Sequence, residues 1–61
     1  MKKAIIFFDG KEISIINFDK NKQLFNIDGA IIWTKFFLNN EEVAFFDSRY
    51  SYIIKEDVDN H

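Results

Sequence analysis

Asp57, Asp59 and His61 alternate along the last five residues, and on an extended segment that spacing presents three metal-ligand types on one side. A metal site recruits ligands fixed by a scaffold and an outer shell, whereas this run sits in an acidic stretch without sustained periodicity. It reads as a solvated tail and no metal is expected. Nucleophilic catalysis has equally little to work with. Ser14, Ser48 and Ser51 share a single histidine, His61, at the very end of the chain, and there is no cysteine. Glu41 and Glu42 face opposite ways if extended, so they form no paired-carboxylate site. The two glycines, Gly10 and Gly29, lie too far apart for a phosphate cradle and suit hairpin turns. No enzymatic activity and no cofactor are expected.

The side chains with binding potential are aromatic. Eight phenylalanines, two tyrosines and one tryptophan occur among 61 residues, with no proline and no cysteine. A 7.3 kDa chain keeps roughly 4,200 Å² accessible out of about 10,600 Å² extended, so only about 60% of its surface is buried. Some large apolar groups must therefore stay near the surface or be covered by another chain. Trp33, Phe37, Tyr50 and Tyr52, with Arg49 beside them, are the expected interface anchors, because such groups add contact area with few torsions to immobilise. Ordinary core packing competes with that role at each position taken singly. Lys35 adjoins Trp33 and Phe37, and Lys20 and Lys22 lie near a turn, so a single-stranded nucleic acid held by stacking and phosphate contacts is a second reading. Ten acidic residues against eight basic ones, a net charge of −2 and a pI near 5.1 weigh against it. The same small net charge weighs against mimicry of a nucleic acid over the whole surface, although Glu41, Glu42, Asp47 and the tail offer a local acidic patch.

The elements that must carry these residues follow from the punctuation. Turn signals recur about every ten residues, at Asp9-Gly10, Asp19 to Lys22, Asp28-Gly29, Asn39-Asn40 and Asp47-Ser48. Runs rich in isoleucine and phenylalanine separate them, predicting strands over 3–8, 11–18, 23–27, 30–38, 41–46 and 50–55. A helix over 30–46 would align Ile32, Phe36 and Val43, but the β-branched and aromatic content of 31–37 and the Asn39-Asn40 turn favour strands. The fold class is therefore all-β, a five- to six-stranded antiparallel meander forming a small bent sheet or an SH3-like, partly open barrel.

Alternation divides 30–38 into Ile31, Trp33, Lys35 and Phe37 on one face and Ala30, Ile32, Thr34, Phe36 and Leu38 on the other, with aromatic groups on both. Ile13 and Ile15 oppose Ile16 and Phe18 unless a bulge follows Ile15. One wet face would alternate more cleanly, so the pattern points to a curved sheet with apolar groups left for an interface. An echo between Phe7-Phe8-Asp9-Gly10-Lys11 and Phe45-Phe46-Asp47-Ser48-Arg49 is compatible with hairpin duplication, and equally with two hairpins sharing turn chemistry.

Residues 1–55 make one small domain and 56–61 an acidic, frayed tail. The apolar run after Met1-Lys2-Lys3 is too short for a signal peptide, no stretch is long enough to span a membrane, and the simplest location is cytoplasmic. Chains of this size commonly need disulfides, a metal or oligomerisation. With no cysteine, self-association is the favoured device, a dimer before a higher oligomer, and the unclosed edge of a meander offers one route to it.

Glu41 to Asp47, followed by Tyr50 to Ile54, resembles the closing strands of small SH3-like or meander proteins encoded by phages and prophages of low-GC Gram-positive bacteria. Ile5 to Lys11 resembles their opening hairpin. The resemblance rests on hydrophobic pattern and turn placement over about half the chain. It implies an accessory protein, in some cases an inhibitor of antiphage defence, with a host protein as target and no catalytic residues.

Overall fold

The computed structural model describes residues 2–56. Six strands make up this segment: β1 (Lys2–Phe8), β2 (Lys11–Phe18), β3 (Lys20–Phe25), β4 (Ile31–Leu38), β5 (Glu41–Asp47) and β6 (Tyr50–Glu56). They pair antiparallel in two three-stranded sheets, sheet A in the order β2-β1-β6 and sheet B in the order β3-β4-β5. The all-β class is as expected, and the sheets do not close on each other by strand pairing. The 30–46 segment is a hairpin rather than a helix. The acidic tail lies outside the described residues apart from Glu56, which extends β6.

Two turns follow directly from their residues. Asp9-Gly10 and Asn39-Asn40 each separate paired strands by two residues, all with positive φ between 53° and 76°. That is the geometry of the type I′ hairpin, for which Asp, Asn and Gly carry the least steric penalty. Both hairpins then bulge at the same distance from the turn, because Glu12 faces Phe7 and Ser14 faces Ile6 in one, while Glu42 faces Phe37 and Ala44 faces Phe36 in the other. Ile13 and Val43 are the extra residues, and both are exposed. The bulge therefore falls at Ile13 rather than after Ile15. The structural repeat is 7–13 with 37–43, not the echo of 7–11 with 45–49, since Phe45 to Arg49 ends a strand at a change of sheet.

The other turns differ from a run of plain hairpins. Asp19 to Lys22 is not a loop. Asp19 alone bends the chain, and β3 starts at Lys20 rather than Gln23. The bend is tied to the β4–β5 hairpin, because the Asp19 N–H donates to the Phe37 carbonyl at 2.9 Å and the Asp19 carboxylate accepts from the Asn39 N–H at 3.1 Å. One continuous strand thus serves as an edge of both sheets. Asp47 to Tyr50 likewise carries the chain from sheet B back to sheet A, where β6 pairs with β1. The β3–β4 connection is built on Asn26, whose side-chain oxygen accepts from the N–H groups of Asp28 and Ala30, both at 2.9 Å. Ile27, expected in a strand, sits at that loop's tip and is fully exposed.

Between the sheets lies a small core of Ala4, Ile6, Phe18 and Phe36, with Thr34 buried beside them. Phe36 is its hub, edge-on to Phe18 at 4.8 Å, to Tyr52 at 5.4 Å and to Phe46 at 6.3 Å. Offset and edge-to-face pairs of this kind add about 0.5–1.5 kcal/mol each beyond their area. So small a core leaves twelve large hydrophobic side chains exposed among the described residues, and their placement locates the candidate binding surfaces.

Candidate interaction surfaces

The β3-β4-β5 register sets Leu24 beside Trp33, Lys22 beside Lys35, and Lys20 beside Phe37, then Trp33 beside Asp47, Lys35 beside Phe45, and Phe37 beside Glu42. Cross-strand partners share a face. Since Thr34 and Phe36 are buried, this set is the outer face of sheet B. At its centre the Lys35 ammonium lies 5.0 Å from the Trp33 ring and 5.9 Å from the Phe45 ring, and pairs with Glu42 at 3.5 Å. The Trp33 and Phe45 rings are 5.9 Å apart and tilted by 39°. A lysine held over an aromatic face gains roughly 0.5–1 kcal/mol at a surface site. Lys20 and Lys22 flank this cluster with no ion pair among the described residues.

The five anchor residues read from the sequence are divided by the fold. Trp33 and Phe37 share the outer face of sheet B. Tyr50 and Tyr52 point inward from β6 and pack against the core, Tyr50 on Phe46 at 5.3 Å and on Phe8 at 5.0 Å. The Tyr52 hydroxyl also accepts a hydrogen bond from the Gln23 side-chain amide, joining β6 to β3 across the two layers. Arg49 occupies the corner between sheets. Its guanidinium pairs with Asp47 at 2.9 Å and lies 5.8 Å from the Tyr50 ring, while its own N–H donates to the Asp47 carboxylate at 2.9 Å. Hydrogen bonds from the Arg49 side chain and backbone hold the Asp47 carboxyl below its ordinary range, and Asp47 raises Arg49 in return.

Tyr50 and Tyr52 line a groove of about 480 Å³ where β5 and β6 leave the sheets unjoined, together with Ile31, Thr34, Phe46 and Ser51. The groove holds hydroxyls and aromatic faces, and its one carboxylate, Asp47, is engaged by Arg49. Ser14 lies on β2, in the other half of sheet A from Ser51, and Ser48 lies in the corner. Among the described residues no three His, Cys, Asp or Glu side chains gather where they could hold a metal ion. Asp57, Asp59 and His61 lie outside those residues. No helix in this segment is long and apolar enough to cross a membrane.

No family model, curated protein or solved structure matches this chain.

Sheet A presents a different outer face. Ile5 lies opposite Ile15 on one side and Ile53 on the other, so three isoleucines form a continuous row across all three strands. Phe7 and the bulged Ile13 extend it. Ile13, Ile15 and Ile53 are each more than half exposed, at 51%, 54% and 53%. Neither this row nor Phe45 was singled out from the sequence. Phe45 was legible as the alternation partner of Val43 and Asp47, but the isoleucine row depends on the Ile13 bulge.

Proposed function

We propose that this chain is a non-enzymatic binding protein that acts through protein–protein contact at the outer face of sheet B. The observation that carries this reading is the cluster of Trp33, Lys35 and Phe45, bordered by Phe37. Two rigid rings flank a cation, and Lys20 and Lys22 stand alongside with no ion pair among the described residues. Pre-organised aromatic groups make effective anchors because little side-chain freedom is lost on contact. The flanking lysines favour an acidic rim on the partner and speed its approach. The strand order β6-β1-β2, continued through Asp19 into β3-β4-β5, supports an SH3-like, partly open barrel as the architecture. The hairpin resemblance supports the concrete form of the proposal, a phage-type inhibitor that occupies a site on a host defence or nucleic-acid enzyme in the cytoplasm.

The test is quantitative capture from a bacterial lysate by immobilised protein, comparing the native chain with Trp33→Ala, Phe37→Ala and Phe45→Ala. A partner retained by the native chain and lost at least about tenfold by one variant with unchanged circular dichroism supports the proposal. Equal capture by all three folded variants overturns it.

The alignment of Lys20, Lys22 and Lys35 with Trp33, Phe37 and Phe45 on one face also favours a second reading, a module for single-stranded nucleic acid. It predicts affinity for a labelled oligonucleotide that falls steeply with salt. No retention at low ionic strength eliminates it.

A further inference from the structure

β3 is an edge strand. β4 pairs with one side of it, and the N–H and C=O groups along its other side have no backbone partner among the described residues. We infer that this edge takes an acidic, extended segment of a partner protein as a fourth strand of sheet B, with carboxylates at alternate positions opposite Lys22 and Lys20. This partner chemistry rests on the reading of the outer face of sheet B as a protein-contact surface.

The backbone supplies affinity at such an edge and the side chains supply choice. Lys20, Lys22 and Leu24 lie on the outer face, opposite Phe37, Lys35 and Trp33, and all three are exposed. Gln23, between them, points inward to the Tyr52 hydroxyl. An added strand therefore meets two ammonium groups and one apolar group on the face it shares with the Trp33 cluster.

The charge along this row selects the occupant. Lys22 stands directly opposite Lys35, a like-charge cross-strand pair, which is unfavourable. Lys35 is compensated on its other side, toward β5, by the Glu42 carboxylate at 3.5 Å and the Phe45 ring at 5.9 Å. Lys22 and Lys20 have no such compensation: neither makes an ion pair among the described residues, and Asp19, next to Lys20 in sequence, is engaged by the Asn39 N–H. A carboxylate on a fourth strand stands opposite Lys22, and a second one two residues on stands opposite Lys20, because alternate residues on every strand repeat at about 6.6 Å. Leu24, beside Trp33, calls for an apolar residue at the third position. In antiparallel order the segment reads apolar-x-acidic-x-acidic. A second copy of β3 carries no acid, so pairing of two copies along this edge leaves both lysines uncompensated.

The probe is a capped heptapeptide of sequence Thr-Val-Thr-Glu-Thr-Glu-Thr, titrated at low ionic strength into the 15N-labelled chain. The expected result is a shift of the backbone amide resonances of 20–25, with a Kd below about 1 mM. Lys20→Thr combined with Lys22→Thr keeps strand propensity at exposed positions and should weaken binding about fivefold or more, as should lysine in place of both glutamates in the peptide. N-methylation of alternate peptide residues should abolish binding in one phase and leave it in the other, since only every second N–H of an added strand faces β3. No shift of these resonances up to about 5 mM peptide overturns the inference. So does binding that survives the double lysine variant, or that both N-methylated peptides retain. A twelve-residue oligothymidylate that shifts the same amides where the peptide does not also overturns it, and assigns the lysines to nucleic acid.

The double lysine variant in the lysate capture separates this inference from the reading beneath it. Capture that Trp33→Ala or Phe45→Ala loses and the lysine variant keeps overturns the acidic fourth strand and leaves the aromatic contact standing. Peptide binding at β3, with lysate capture indifferent to all three aromatic variants, upholds the fourth strand and overturns the aromatic contact.

Discussion

Phe36 meets Tyr52 edge-on, with ring centroids 5.4 Å apart and planes at 85°. This contact joins the central strand of sheet B to an edge strand of sheet A, two layers that share no hydrogen-bonded ladder at that seam. Phe36 is fully buried, and its ring also touches Phe18 and Phe46.

Truncation at this hub should be severe. Phe36→Ala removes three ring contacts at once and should cost about 3–5 kcal/mol, the range for a buried phenylalanine. Domains of this size have little more stability than that, so the variant should be largely unfolded by circular dichroism. Tyr52→Phe keeps the ring and loses the hydrogen bond from Gln23. Its expected cost is near 1 kcal/mol in urea denaturation, with an unchanged slope.

The Asn39-Asn40 turn can be improved. Both residues hold positive φ, and glycine adopts that conformation without the Cβ penalty. Asn40→Gly should therefore raise stability by up to about 1 kcal/mol, read as a higher urea midpoint. Gly10→Ala should act in the opposite sense by a similar amount. Nothing lies within 4 Å of the added methyl group, so the cost comes from backbone strain at φ 76° and not from a clash, and it outweighs the entropy that alanine removes from the unfolded chain.

Asp47 gives the fold an acid-sensitive corner. Its folded-state value lies below the ordinary 3.8 because Arg49 donates to its carboxylate, so its contribution is present above that value and is lost as pH falls through the folded one. Below about pH 4 the Asp47→Asn variant should lose stability less steeply than the native chain. Thermal melts between pH 2 and about pH 6 measure the difference, and parallel curves would assign the pairing no role in stability.

The strands were largely legible because three physical signals agree. Asp-Gly and Asn-Asn mark the two type I′ turns, β-branched and aromatic runs mark the ladders, and alternation assigns Trp33, Lys35 and Phe37 to one face and Thr34 and Phe36 to the other. What escaped was register. A two-residue hairpin at Asp9-Gly10 without a bulge would set Ile5 opposite Ser14 and Ile6 opposite Ile13, dispersing the isoleucines over both faces. One extra residue at Ile13 gathers Ile5, Ile13 and Ile15 onto the outer face and leaves Ile6 and Ile16 on the inner one. The division of the aromatic anchors has a similar cause. Tyr50 and Tyr52 face inward because the chain changes sheets at Arg49, and no local residue pattern announces that β6 returns to pair with β1. Asp19 resembled a turn residue for the same local reason, but its hydrogen bonds run to Phe37 and Asn39, distant in sequence.

The pairing of β1 with β6 also dictates when sheet A can exist. Ile5 and Ile53 become neighbours only after nearly the whole described segment has left the ribosome, whereas sheet B is complete once β5 has emerged. The early product of synthesis is therefore the local β3-β4-β5 meander, with β1 and β2 held as an isolated hairpin that is marginal in water. In such an order the isoleucine row is assembled last, so the apolar outer face of sheet A comes into being only after sheet B is complete.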